Sequence, residues 1–341
     1  MRTLVVSDLH LGSRLRHDVL LRPAALHRLL ASLEGVDRLV LLGDVVELLE
    51  GRPEQAMAAA EPVLRAVGER LGPDREAIVV PGNHDNALVR PWVVAGRVPL
   101  TLDTAVPIDA TPLLERLCSW LAPARVRVQY PGAWLSERVW ATHGHYLDRH
   151  LLPEGAVGIA RGLLGRLPRD GAHPIDYELA GGPSLTRLEA VLTRRLPRPL
   201  AALVDDVFEL LRAWSMPRVG TRLLSTGMAP LNSTMLSLQM RRASIPALAR
   251  VIHRLGVEAE FVVFGHVHRL GPLPRDQAAR WRGPNGSPKV LNTGSWVYEP
   301  LLVHRAPASH PYWPGGAVLV EDDDEPRAVG LLDDLPPSAL H

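Results

Sequence analysis

Thr3-Leu4-Val5-Val6-Ser7-Asp8-Leu9-His10 runs a short apolar, β-branched stretch straight into an aspartate and a histidine. Compact apolar runs of this length read as buried strands, of the kind found in sheets covered on both faces. The design recurs four times. Leu39-Val40-Leu41-Leu42 precedes Gly43-Asp44, and Ile78-Val79-Val80 comes just before Gly82-Asn83-His84-Asp85. Val139-Trp140-Ala141-Thr142 precedes His143-Gly144-His145, and Phe261-Val262-Val263-Phe264 precedes Gly265-His266-Val267-His268. Each strand therefore empties into a loop that carries polar donors.

Helical periodicity fills the intervals at residues 23–33, 53–71, 112–121 and 245–255, with Pro62 expected to break or kink the second. Strands at 290–292, 317–320 and 327–331 complete the set, and the Asp322-Asp323-Asp324-Glu325 run reads as a solvated turn. Alternating strand and helix predicts a layered α/β architecture with ligands in the crevice at the strand ends. Residues 147–244 break the rhythm. Helical segments at 155–167, 184–195 and 199–214, punctuated by proline and glycine, predict a helical insert or cap between a core of residues 1–146 and 245–341.

Carboxylate oxygen, amide oxygen and imidazole nitrogen are donors for borderline and harder divalent metals. On a strand, Asp8 and His10 would face the same way, which suits a pair of ligands and equally a hydrogen-bonded pair. Gly43-Asp44 alone is also a common turn. Glu47, three residues on, reads as a residue that supports ligands or starts a helix. In Gly82-Asn83-His84-Asp85, glycine would let the chain turn sharply, and Asp85 would orient the His84 imidazole for acid–base work. Two histidines on one side of an extended segment, His266 and His268, have the spacing of two ligands of one cluster.

Composition narrows the remaining choices. The 341 residues, with 46% hydrophobic and 22% charged, suit one large soluble domain with an insert. A net charge of +1 gives no global electrostatic case for nucleic acid or membrane. Cys118 is the sole cysteine, so no intrachain disulfide forms, and its apolar surroundings predict a small buried hydrophobe. No signal peptide and no apolar run of about 20 residues is apparent, so a cytoplasmic protein without a transmembrane segment is expected, with peripheral membrane contact left open. Basic charge is nearly all arginine, and residues 210–257 carry no Asp or Glu but seven arginines and four of the six methionines. Such a surface would grip an anionic, partly apolar molecule; a cap whose methionines pack inward accounts for the same residues.

The order Asp-x-His, Gly-Asp, Gly-Asn-His-Asp, His, Gly-His-x-His resembles the signature of the calcineurin-like metallophosphoesterase superfamily over residues 8 to 268. The resemblance implies a four-layer α/β/β/α sandwich of two mixed sheets with a dinuclear centre. Asp8, His10 and His268 would hold one divalent ion, Asn83, His143 and His266 the other, and Asp44 would bridge them. The ions would be manganese, iron or zinc. His84 and Asp85 would be the catalytic pair, and a hydroxide between the metals would attack a phosphomonoester, phosphodiester or pyrophosphate bond. His145, Arg149 and His150 are further candidates for substrate contact.

Within the superfamily, Ser7 to Leu11, Gly43 to Glu47 and the insert are most similar to the UDP-2,3-diacylglucosamine hydrolases, which carry arginine where this chain has His84. That likeness implies a small-molecule or lipid-linked phosphoester as substrate. Asp8-Leu9-His10-Leu11-Gly12 also resembles the start of the recombination nucleases, so a DNA-end nuclease is an alternative that the weak basicity disfavours. A scaffold that has lost catalysis would lack ligands, and here every ligand position is filled.

Overall fold

The computed structural model describes residues 1–14, 17–49, 52–96, 98–151, 169–179, 243–283, 285–303 and 306–340. Two mixed sheets form the centre. The larger has seven strands, β1 (Arg2–Val6), β2 (Arg38–Leu42), β3 (Glu76–Val80), β4 (Thr104–Val106), β5 (Arg125–Tyr130), β10 (Gly316–Glu321) and β11 (Arg327–Gly330), in the order β11-β10-β1-β2-β3-β5-β4. The smaller has four, β6 (Gly132–Trp134), β7 (Val139–Thr142), β8 (Phe261–Phe264) and β9 (Lys289–Asn292), in sequence order. β1, β2, β3 and β5 run parallel, as do β7, β8 and β9. Parallel neighbours need crossovers, and helices α1 (Pro23–Ser32) and α2 (Pro53–Leu71) supply the first two.

Three apolar clusters make the layers. Val5, Val40, Leu42, Ile78 and Val80 from the large sheet pack on Ala141, Phe261, Val263 and Leu291 from the small one, sealing the sheets face to face. The alternate residues of the large sheet, among them Leu4, Val6, Leu39 and Leu41, share a cluster with α1, α2, α3 (Arg90–Ala95) and α4 (Pro112–Trp120). On the far side of the small sheet, Trp140, Val262 and Phe264 meet α6 (Ile245–Arg254). The α/β/β/α sandwich follows from this alternation, because both faces of both sheets are apolar. Within it residues 169–179, the described stretch of the expected insert, pack in the outer layer. Tyr177, on the short helix α5 (Pro174–Leu179), stacks on Tyr146 with centroids 4.7 Å apart, and Glu178 accepts hydrogen bonds from the Tyr130 and Tyr146 hydroxyls. The helices expected at 155–167, 184–195 and 199–214 lie outside the described residues.

Helix α2 runs through Pro62 instead of stopping there. The missing N–H costs one helical bond, but Met57, Ala60, Val63, Leu64 and Val67 on the buried face hold both halves in place. The acidic run between β10 and β11 is a turn, where Asp322 pairs with the N-terminus at 2.5 Å and Glu325 with Lys289. Among the described residues no helix is long and apolar enough to cross a membrane.

Candidate metal centre

β1, β2, β3, β7 and β8 end along one edge where the two sheets meet, and the donor residues follow within four positions. Strand alternation does not aim them. Asp8, His10, Asp44, His266 and His268 all have positive φ, between 45° and 69°, and they are the only non-glycine residues among those described that do. The expectation that Asp8 and His10 share a strand face, and that His266 and His268 lie on an extended segment, is therefore corrected. β1 stops at Val6 and β8 at Phe264, and left-handed turns bring the side chains together. Such backbone costs of order 1–3 kcal/mol per residue and collects at functional sites.

Backbone bonds lock the loops: Asp8 N donates to Gly43 O at 3.0 Å and His10 N to Asp44 O at 2.8 Å. Gly82 has an ordinary φ, so its use is room rather than a sharp turn. A Cβ there would lie 2.3 Å from Asp44 Oδ1. Gly43 answers both demands, with φ of 85° and a would-be Cβ 2.3 Å from His143 Nδ1.

The donors fall into overlapping groups whose ligand atoms lie within 4.8 Å of one another: Asp8, His10 and His268; His10, Asp44 and His84; Asp44, His143 and His266. His143 Nδ1 sits 3.0 Å from the Leu42 carbonyl and must donate to it. Its other nitrogen, Nε2, then faces two acceptors, Asn83 Oδ1 at 3.0 Å and Asp44 Oδ2 at 3.1 Å. Three electron pairs converge there, and only a proton or a cation relieves them. His10 repeats the pattern: Nδ1 donates to Glu47 Oε2 at 2.8 Å, while Nε2 is buried with no hydrogen-bond partner, 3.8 Å from Asp44 Oδ2. His268 Nε2 lies 3.3 Å from Asp8 Oδ1. Mixed nitrogen and oxygen donors with buried, unshared lone pairs fit divalent metal binding.

Charge follows the same geometry. Burial by itself would raise the Asp44 carboxyl, but the charges of His143 and His84 hold it well below the usual range. Burial opposes charge on His143 too, yet Asp44 lifts it to about 9. Asp85, buried and beside Asp44, is pushed up to about 6.

Asp85 does not orient His84. Its carboxylate is spent on backbone, accepting from Gly82 N at 2.6 Å and Val45 N at 2.7 Å, so it staples two donor loops together. The carboxylate that meets His84 is Glu47, with Oε2 2.7 Å from Nδ1. His145 sits beside the donors, its ring 5.6 Å from that of His143 and its Nε2 3.9 Å from Glu178 Oε1. His150 is not brought to the centre. It is 2% exposed, with Nε2 3.0 Å from the Tyr177 hydroxyl, so it ties its turn to α5. Arg149 is half-buried on the same short turn, and its charge bears on His150.

Asp148, whose Oδ1 lies 2.9 Å from His266 Nε2, escaped the sequence reading. Ser7 Oγ links Asp8 to Thr293 Oγ1, the latter at 2.5 Å. Thr293 directly follows β9, in the segment Asn292-Thr293-Gly294-Ser295, which resembles a loop that members of the superfamily place beside the site.

The model of the calcineurin-like phosphoesterase family matches residues 1–270. No curated protein matches the chain. Among solved structures, a point mutant of a cold-active protein tyrosine phosphatase is 13% identical, with 97% of this chain and 78% of that one covered at a TM-score of 0.31, a likeness too slight to carry argument. The two-sheet sandwich, the donor groups at its strand ends and the match over residues 1–270 together place the chain in the calcineurin-like phosphoesterase family, as a metal-dependent phosphoric ester hydrolase.

Proposed function

We propose that this hydrolase holds two divalent cations and cleaves an anionic small-molecule or lipid-linked phosphoester. The observation that carries the reading is Asp44, which belongs to two donor groups at once, through Oδ2 at 3.1 Å from His143 Nε2 and 3.8 Å from His10 Nε2. Asp8, His10 and His268 are the ligands assigned to one ion, and Asn83, His143 and His266 to the other, with Asp44 between them. Manganese, iron and zinc all suit these donors. Paired cations supply Lewis acidity and a nucleophile at neutral pH.

The chain itself supplies position and proton transfer. His84 is fixed at both ends, its backbone N donating to Asp44 Oδ1 at 2.8 Å and its Nδ1 held by Glu47. Its Nε2 is the atom assigned to the leaving oxygen, to which it gives a proton as the P–O bond breaks. His145 and Arg149, on the turn where the cap begins, are assigned to substrate contact. A net charge of +1 supports a compact anion over a DNA end.

The test is a panel of phosphomonoesters, bis-p-nitrophenyl phosphate, cyclic nucleotides, nucleotide-diphospho-lipids and DNA ends, offered to the manganese-loaded protein. Turnover is expected with bis-p-nitrophenyl phosphate, and Asp44→Ala is expected to lose metal and turnover together. Full activity in Asp44→Ala sinks the shared-ligand assignment. No turnover with any divalent metal, and no metal bound, sinks the enzyme reading in favour of a scaffold.

A further inference from the structure

Two carboxylates from the stretch between β7 and α6 reach the donor cluster, and both reach the same side of it. Asp148 Oδ1 lies 2.9 Å from His266 Nε2, with side chains 36% and 13% exposed. An ionised carboxylate can only accept, so His266 donates from Nε2 and keeps the Nδ1 lone pair for a cation. The main chain of His266 is held as well, its N donating to Asp8 Oδ2 at 3.0 Å.

Glu178, on α5, has a side chain 7% exposed. Its Oε1 accepts from the Tyr130 hydroxyl and, at 2.7 Å, from the Tyr146 hydroxyl, with His145 Nε2 3.9 Å away. Tyr130 in turn accepts from Asn86 Nδ2 at 3.3 Å. Asn86 stands three residues after Asn83, and Tyr146 three after His143. One carboxylate oxygen therefore ties the loop of Asn83 to the loop of His143. Both tyrosines are buried, and a charge-assisted bond out of water is the stronger for it. Asp8, His10 and His268 are braced from elsewhere. Asp8 is met by Ser7 Oγ and His268 Nε2, and His10 by Glu47, all outside that stretch.

We infer that Asp148 and Glu178 are positioning residues of the second cation, Asp148 by setting the His266 ring and Glu178 by clamping the loops of Asn83 and His143. The stretch between β7 and α6 then sets the affinity for that ion, while the rest of the chain sets the affinity for the first. The inference rests on the two-ion ligand assignment proposed above. Supporting groups of this kind are worth about 10–100-fold in metal affinity. Loss of Glu178 removes no ligand, because His143 keeps its bond to the Leu42 carbonyl. It frees the two loops to drift apart.

The experiment titrates the metal-free protein with manganese, followed by EPR, with His266→Ala and His268→Ala fixing which binding step belongs to which ion. The test variants are Asp148→Leu and Glu178→Leu, beside Asp148→Asn and Glu178→Gln, which keep the shape and one acceptor oxygen. The second-ion dissociation constant should rise about 10–100-fold in Asp148→Leu, rise less in Glu178→Leu, and be partly restored by the amides. The first-ion constant should hold in all four. Where leucine is not tolerated, the amide variant reads the same step. In the zinc-loaded protein, ¹⁵N shifts should show the His266 proton on Nε2 and the metal on Nδ1. Equal weakening of both steps, an unchanged second step in the variants at both positions, or a His266 proton on Nδ1 would overturn the inference. A wild type that still binds two manganese ions keeps the two-cation reading in that case. A wild type that binds fewer than two overturns that reading, and the inference with it.

Discussion

Gly82→Ala is a one-methyl test of how tightly the donor loops converge. The added Cβ would lie 2.3 Å from Asp44 Oδ1, 2.8 Å from Asp44 N and 2.8 Å from His143 Cδ2. Ordinary contact begins near 3.4 Å, so Asp44 and the Gly82 backbone must separate by about 1 Å. Neither side yields freely. Asp44 O accepts from His10 N, and Gly82 N donates to Asp85 Oδ1 at 2.6 Å. Gly82 has no positive φ, so alanine meets no conformational penalty and the effect is steric alone.

Overpacking of this kind costs about 1–3 kcal/mol of stability, which a chain of this size survives. A misplacement of about 1 Å in a catalytic array costs on the order of 100-fold in rate, so function should fall far more than folding. The assay is kcat on bis-p-nitrophenyl phosphate with metal content measured alongside. Gly256→Ala is the control, because Gly256 has a φ of +64° with nothing within 4 Å of its would-be Cβ. That change should cost about 1 kcal/mol of stability and leave turnover untouched. If Gly82→Ala keeps its metal and loses less than about threefold in kcat, the approach of Gly82 to Asp44 is not what sets the array.

The donors were legible in the sequence because each stands within four residues of the end of a buried strand, where a polar residue has no packing reason to be. Their convergence was not legible. Period-2 alternation assumes that the strand continues, and nothing in Asp8-Leu9-His10 or His266-Val267-His268 shows that it ends at Val6 or Phe264. Asp and His are among the residues that tolerate left-handed backbone, so the residue types allowed the geometry without announcing it. Glu47 was visible only as a spacing from Asp44, since Val45 to Leu49 has no helical or strand period. Asp85 misled for the complementary reason: it is adjacent to His84 in the chain, yet its carboxylate points at the backbone of Gly82 and Val45. Strands β4 and β6 are three residues each and helix α5 six, too short for any period to register. In β5 the outward Arg125 and Arg127 masked the apolar alternation.

Two further outcomes test how the loops are braced. Arg269 and Asp276 form a buried two-pronged pair at 3.0 and 2.6 Å, with side chains 2% and 4% exposed, just after His268 of the donor cluster. Asp276→Ala leaves the guanidinium buried without its carboxylate and should lower the unfolding free energy by about 3–5 kcal/mol; a loss in denaturant titration below about 1 kcal/mol would mean that the pair behaves as a solvated one. His150 predicts a pH effect. Burial, with the charges of Arg254, Arg250 and Arg149, pushes it down to about 4 from its ordinary 6.5. Between those values the unfolded chain holds a proton that the folded chain refuses, so unfolding gains as pH falls. The stability due to a neutral His150 is present above about 6.5 and drains away toward about 4. His150→Gln keeps a polar partner for the Tyr177 hydroxyl but cannot titrate, so its denaturation midpoint should fall less steeply than that of wild type across this window. Identical slopes in the two proteins would show that the contact between this turn and α5 does not depend on this imidazole staying neutral.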